Sequence, residues 1–191
     1  MRKKLRYFLL PLALILSILT INLFSARDTN RQTISLFPQF QTTDLNGNTI
    51  TNKIFTGKFT VLVLWVTKDE NSRQMWRFLS DWQQTEADKL QIIGLVGDVK
   101  STDDAAKIDN ARQIATGYDI PQLLVNDDMT EFLTTIRAAP TICFVDATGR
   151  FVGQPVTGFE PELIKKEAHR LLAVDSSANV DKSLFMKKAA Q

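Results

Sequence analysis

The stretch from Val61 to Trp82, VLVLWVTKDENSRQMWRFLSDW, constrains the fold more than any other part of the chain. It starts with six apolar residues, Val61 to Val66, rich in β-branched side chains, a pattern that predicts a strand buried on both faces. Six polar residues follow, Thr67 to Ser72. Beyond them Met75, Phe78, Leu79 and Trp82 recur at helical spacing and predict an amphipathic helix. Asp69 is placed to cap that helix, because a carboxylate can accept the orphan N–H groups of a first turn. A buried strand running into a capped helix is the first half of a βαβ unit.

The rest of the chain extends this pattern. Domain structure is expected from Leu36-Phe37-Pro38 onward, with a turn at Asp44 to Asn48, where Asn46-Gly47 supplies positive φ at little cost. Lys89 to Val99 reads as a second buried strand. Ser101 to Asp104 opens a helix to about Thr116, with Ile108, Ala111, Ile114 and Ala115 inward and Gly117 as its stop. Pro121 to Val125 is a short extended segment. Asn126-Asp127-Asp128 begins a short helix carrying Met129, Phe132, Leu133 and Ile136. The acidic pairs Asp103-Asp104 and Asp127-Asp128 read as helix caps, where the macrodipole favours them. Ile142 to Val145 and Arg150 to Val156 form an antiparallel hairpin around Asp146-Ala147-Thr148-Gly149. Pro161 suits the first position of a last helix whose buried face is expected to hold Leu163, Ile164, Leu171 and Leu172.

Parallel strands with helical crossovers, closed by a hairpin and a helix, resemble the thioredoxin-like superfamily. The nearest likeness is to its membrane-attached TlpA/ResA-like (AhpC/TSA–redoxin) branch, and it spans residues 36–172. In that branch the first core strand ends in an aromatic-Trp-Ala-Thr-Trp step followed by Cys-x-x-Cys-Arg. Here Leu64-Trp65-Val66-Thr67-Lys68 and Asp69-Glu70-Asn71-Ser72-Arg73 stand in those places. The resemblance implies an α/β fold with a central mixed sheet flanked by helices and an N-terminal β extension. It also implies a thiol–disulfide oxidoreductase ancestry with both redox cysteines replaced, by Asp69 and Ser72. A carboxylate cannot exchange with a disulfide, and a serine hydroxyl is a far weaker nucleophile at neutral pH. A peroxiredoxin needs a cysteine in a Thr-x-x-Cys setting that Thr67 to Glu70 lacks. A copper-carrying relative needs two cysteines and a histidine.

Ala139-Pro140-Thr141 matches the family's small-x-Pro-Thr step, which carries a cis proline beside the dithiol. The resemblance therefore makes Lys68, Asp69, Glu70, Asn71, Ser72, Ala139, Pro140 and Thr141 a candidate binding face for an extended peptide. Lys68 replaces an exposed tryptophan, which makes this face less apolar. Trp82 reads as core, whereas Trp76 lies off the main stripe, which leaves a place in a contact surface open to it as the lesser alternative.

Composition narrows the function. The single cysteine, Cys143, rules out an intramolecular disulfide. It lies in the predicted core strand and reads as a small buried hydrophobe with a raised pKa. A redox role would require its side chain to face the Asp69 loop, which strand alternation leaves open. The single histidine, His169, rules out a multi-histidine metal site and is expected to be exposed or half-buried. No metal or cofactor is expected. Four of the 23 basic residues, Arg2, Lys3, Lys4 and Arg6, stand at the N-terminus; the other 19 face 21 acidic residues, a net of −2. No basic stripe for nucleic acid results.

Tyr7 to Phe24 is uncharged and at helical rise spans about 27 Å, close to the hydrocarbon core of a bilayer. Residues 1–26 are expected to be an uncleaved single-span anchor rather than a cleaved signal, since Leu23-Phe24-Ser25-Ala26 is a poor cleavage sequence. The positive-inside bias then puts the N-terminus in the cytoplasm and the domain outside. The expected organisation is anchor 1–26, linker 27–35, thioredoxin-like domain 36–173 and flexible tail 174–191. The expected role is a non-catalytic binding or assembly module that meets an extracytoplasmic protein or peptide. The competing role is envelope thiol–disulfide chemistry through Cys143 or a partner's thiols.

Overall fold

A computed structural model describes residues 36–174, apart from the side chains of Asn71, Ser72 and Arg73. The expected anchor and linker, and the tail beyond residue 174, lie outside the described residues. Among the described residues no helix is long and apolar enough to cross a membrane.

The organising strand is β3, Phe59–Trp65, buried at all seven positions. It follows a small hairpin of β1 (Gln41–Thr43) and β2 (Thr49–Thr51) and one 3-10 turn. Helix α1 (Glu70–Glu86) leads to β4 (Leu90–Lys100), which pairs parallel to β3. Helix α2 (Ala105–Ala115) leads to β5 (Gln122–Val125), parallel to β4. A 3-10 turn and the short helix α3 (Thr130–Thr135) precede β6 (Thr141–Val145) and β7 (Phe151–Thr157). Helix α4 occupies residues 161–174. The mixed sheet has the order β5-β4-β3-β6-β7, with β6 and β7 antiparallel to their neighbours.

Strand alternation divides the core between two faces of this sheet. Val61, Val63 and Trp65 of β3 join Ile92 and Val96 of β4 and Ile142 and Phe144 of β6. Met75, Trp76, Leu79 and Trp82 of α1, Ala111 and Ala115 of α2, and Ile164, Ala168 and Leu171 of α4 cover that side. The opposite side holds Leu62, Leu64, Ile93, Leu95, Cys143 and Val145, covered by Phe37, Phe40, Phe55 and Phe132. Each of these large side chains contributes roughly 1.5–3 kcal/mol by leaving water.

The N-terminal hairpin caps the β5 edge of the sheet. Leu45 donates its backbone N–H to the Gln122 carbonyl, 2.9 Å, and Thr42 its hydroxyl to the Leu124 carbonyl, 2.7 Å. The intervening turn is held by the Asp44 carboxylate, which accepts from the backbone of Asn46 and Asn48.

Three readings need correction. Trp76 belongs to no contact surface: it is fully buried against Trp65, edge to face at 5.4 Å between ring centres. Helix α1 therefore buries a wider arc than its apolar stripe indicates. Leu163 is 44% exposed, and the small residue Ala168 takes its place in the packed face of α4, on the arc Ile164, Ala168, Leu171. Asp104 caps α2 by accepting from the Lys107 backbone N–H, but Asp127 and Asp128 cap nothing. Asp127 pairs with Lys100, and Asp128 accepts from Asn126. The extended segment expected at Pro121 to Val125 is present, and Gln122–Val125 of it form the edge strand β5.

Candidate functional site

β3 stops at Trp65, and residues 66–69 carry the chain to the first turn of α1. Beside that exit stands the start of β6, where Thr141 pairs with Leu64. The Ala139–Pro140 peptide bond is cis, as the small-x-Pro-Thr resemblance implies. The Pro140 carbonyl accepts the Gly158 N–H at 2.8 Å, which ties the loop to the end of β7. The Thr141 hydroxyl donates back to the Ala138 carbonyl at 2.7 Å. The turn into α1 and the cis-proline loop thus share one end of the sheet on adjacent strands.

The expected face divides by exposure. Lys68 and Glu70 are exposed, Asp69 and Ala139 are half-buried, and Pro140 and Thr141 are buried. Asp69 directly precedes the first helical residue, in the N-cap position, and its N–H donates to the Val66 carbonyl at 3.4 Å. Asn71 and Ser72 lie in the first turn of α1. The Thr141 hydroxyl, engaged within its own loop, is part of the frame rather than of the open surface.

Strand β4 contributes a residue that the sequence reading did not single out. β4 runs four residues beyond its last partner on β3, Trp65↔Val96. From this overhang the Asp98 carboxylate accepts the Thr67 N–H at 3.0 and 3.1 Å and the Thr67 hydroxyl at 2.7 Å. The available signal was a lone carboxylate at the polar end of an apolar strand, in Val96-Gly97-Asp98-Val99. Behind the same turn, Trp65 Nε1 donates to the buried Gln122 Oε1 at 2.9 Å.

Cys143 is far from suited to chemistry. Its ladder partner is Leu62, and its side chain joins the phenylalanine-rich cluster on the sheet face away from α1. Burial pushes its thiol up to about 12. His169 is exposed, on α4, with Nε2 2.7 Å from Glu86 Oε1 at the end of α1. Among the described residues no group of histidine, cysteine and carboxylate side chains can hold a metal ion.

No family model matches the sequence, and no curated protein matches it. Solved structures do. A Chlorobium tepidum protein assigned as the thiol:disulfide interchange protein DsbE superposes with a TM-score of 0.59 at 19% identity, over 73% of this chain and 94% of that one. The chain has a thioredoxin-like fold. The exposed lipoprotein thioredoxin of Streptococcus pneumoniae gives 0.57 at 17% identity, over 69% of this chain and 98% of its own. A secreted Mycobacterium tuberculosis disulfide oxidoreductase homologous to DsbE gives 0.53 at 18% identity, over 69% of this chain and 96% of its own. Within the thioredoxin-like frame, a chain with one cysteine has no dithiol.

Proposed function

We propose that this protein is a membrane-anchored, extracytoplasmic thioredoxin-like domain of the TlpA/ResA-like type that has lost its redox dithiol and works as a binding or assembly module. One observation carries the reading. The turn into α1 and the cis Ala139–Pro140 loop stand side by side, as a peptide-binding thioredoxin-like face requires, while the only thiol is buried on the other side of the sheet. Lys68, Asp69, Glu70, Asn71, Ser72 and Ala139 form the face, and Pro140 and Thr141 frame it. Its ligand is an extended protein segment outside the cytoplasm. The apolar run Tyr7 to Phe24, behind a basic start, supports the anchor, and the secreted and lipoprotein neighbours are in keeping with an extracytoplasmic place.

A photo-crosslinker placed at Lys68 or Ala139 of the full chain, in membranes of the source cell, tests this reading. It should trap a protein partner, and a crosslinker at Thr148, at the other end of the sheet, should not. Partner capture that persists unchanged when the whole face is substituted would sink it.

Oxidoreductase chemistry through Cys143 is the competing reading. It requires a thiolate, and a thiol held near 12 leaves on the order of one molecule in 10^5 ionised at neutral pH.

A further inference from the structure

The turn between β3 and α1 is flanked by both neighbouring strands and bonded from one of them. On one side β6 brings the cis Ala139–Pro140 loop level with the end of β3 through the Leu64–Thr141 pair. On the other, the β4 overhang delivers the Asp98 carboxylate to Thr67. Thr67 is buried, the next residue, Lys68, is exposed, and the one after it holds the N-cap position of α1. A hydrogen bond that fixes Thr67 therefore fixes where the candidate face begins.

We infer that Asp98 is a positioning residue for the candidate face: its carboxylate holds Thr67 by backbone and hydroxyl together, and so sets Lys68 and Asp69 against the N-terminus of α1 and the Pro140 loop. The inference rests on the reading of that face as a binding site. The geometry favours such a role over a general contribution to the fold. Both Thr67 donors converge on one side chain, at distances of 2.7–3.1 Å. Charge-assisted bonds of this length are the stronger and more directional kind. The core beneath the turn is already closed by Trp65, Trp76 and Gln122, so the Asp98 bonds act on the orientation of the turn rather than on closure of the core.

The test needs no partner. Asp69→Cys places a thiol at the start of α1, where proximity to the helix N-terminus lowers its pKa. The buried Cys143 stays silent. The pH profile of iodoacetamide alkylation of full-length Asp69→Cys then reports how that position sits against the helix. Thr67→Val removes the hydroxyl donor and leaves the backbone N–H bond and the Asp98 charge in place, so it breaks the joint hold; Thr67→Ser restores the hydroxyl. The expected result is an alkylation pKa moved upward by Thr67→Val, with a rate at neutral pH lower by about threefold or more, and a return to the parent profile in Thr67→Ser. Thr67→Ala serves as a second variant without the hydroxyl should Thr67→Val not fold. An unchanged profile in the variant without the hydroxyl, with only the melting temperature lowered, would overturn the inference that backbone and hydroxyl together set the face. Loss of partner crosslinking at Lys68 with a normal alkylation series would count against the binding reading instead.

Discussion

Cys143 stands opposite Leu62 in the β3–β6 ladder, so its thiol points to the sheet face that α1 does not cover. The thioredoxin-like fold is present, and its one thiol lies on the sheet face away from the turn into α1. Native protein should accordingly resist alkylation by iodoacetamide up to at least pH 9, and the same thiol should react fully once guanidinium unfolds the chain. Stoichiometric labelling of native protein at pH 8 would show that the thiol is reachable and contradict its burial.

Among the glycines of the described residues, Gly94 has the least room for a side chain. A methyl group there would stand 2.6 Å from Gln122 Cδ and 2.8 Å from Trp76 Cη2. Gly94→Ala should therefore destabilise the domain by about 1–3 kcal/mol through overpacking, although alanine suits a strand better than glycine does. Denaturant unfolding measures it; a neutral or stabilising effect would mean that Gln122 can leave Trp65 without cost.

Trp76, although off the apolar stripe of its own helix, is fully buried. Trp76→Ala should cost about 3–5 kcal/mol, the range for emptying a buried aromatic site. An exposed contact residue would show almost no change in the same unfolding measurement.

Glu86 links α1 to α4 through His169, 2.7 Å, and to Lys89, 3.3 Å. Burial pushes its carboxyl up, but the hydrogen bonds from His169 and Lys89 together outweigh this and hold it below the usual carboxylate value. A depressed carboxyl stabilises the fold above its unfolded pKa, near 4.5, and that contribution disappears as pH falls through the lower folded value. Glu86→Gln should therefore lower stability by about 0.5–1 kcal/mol at pH 6–7, as befits a pair whose histidine is half exposed. The difference between the two proteins should vanish in acid. A difference that stays constant down to pH 3 would contradict the assignment.

The frame of this fold was legible because its signals are periodic and strong. The buried run Val61 to Trp65 of β3, a capped α2 and the Pro161 start of α4 each follow from local pattern, although the strand begins two residues earlier, at Phe59, and stops one residue short of Val66. What escaped depends on what sits across the gap. Trp76 is buried because Trp65 and Tyr118 come from other elements to meet it, and a stripe read along one helix does not contain that information. Ala168 is too small to register as apolar signal, and it packs because α4 lies close at that point. Within the candidate site, the turn into α1 and the cis proline were visible through resemblance. Asp98 was not, since its role exists only because β4 outruns β3.

The most direct measurement is disulfide reduction by the full chain beside the same chain carrying Asp69→Cys and Ser72→Cys. The account predicts no activity in the native protein and measurable activity in the double variant, because the proposed face puts Asp69 and Ser72 at the two dithiol positions that the family resemblance implies. Reduction by the native protein would contradict the loss of redox chemistry, and a folded but inactive double variant would contradict the placement of Asp69 and Ser72.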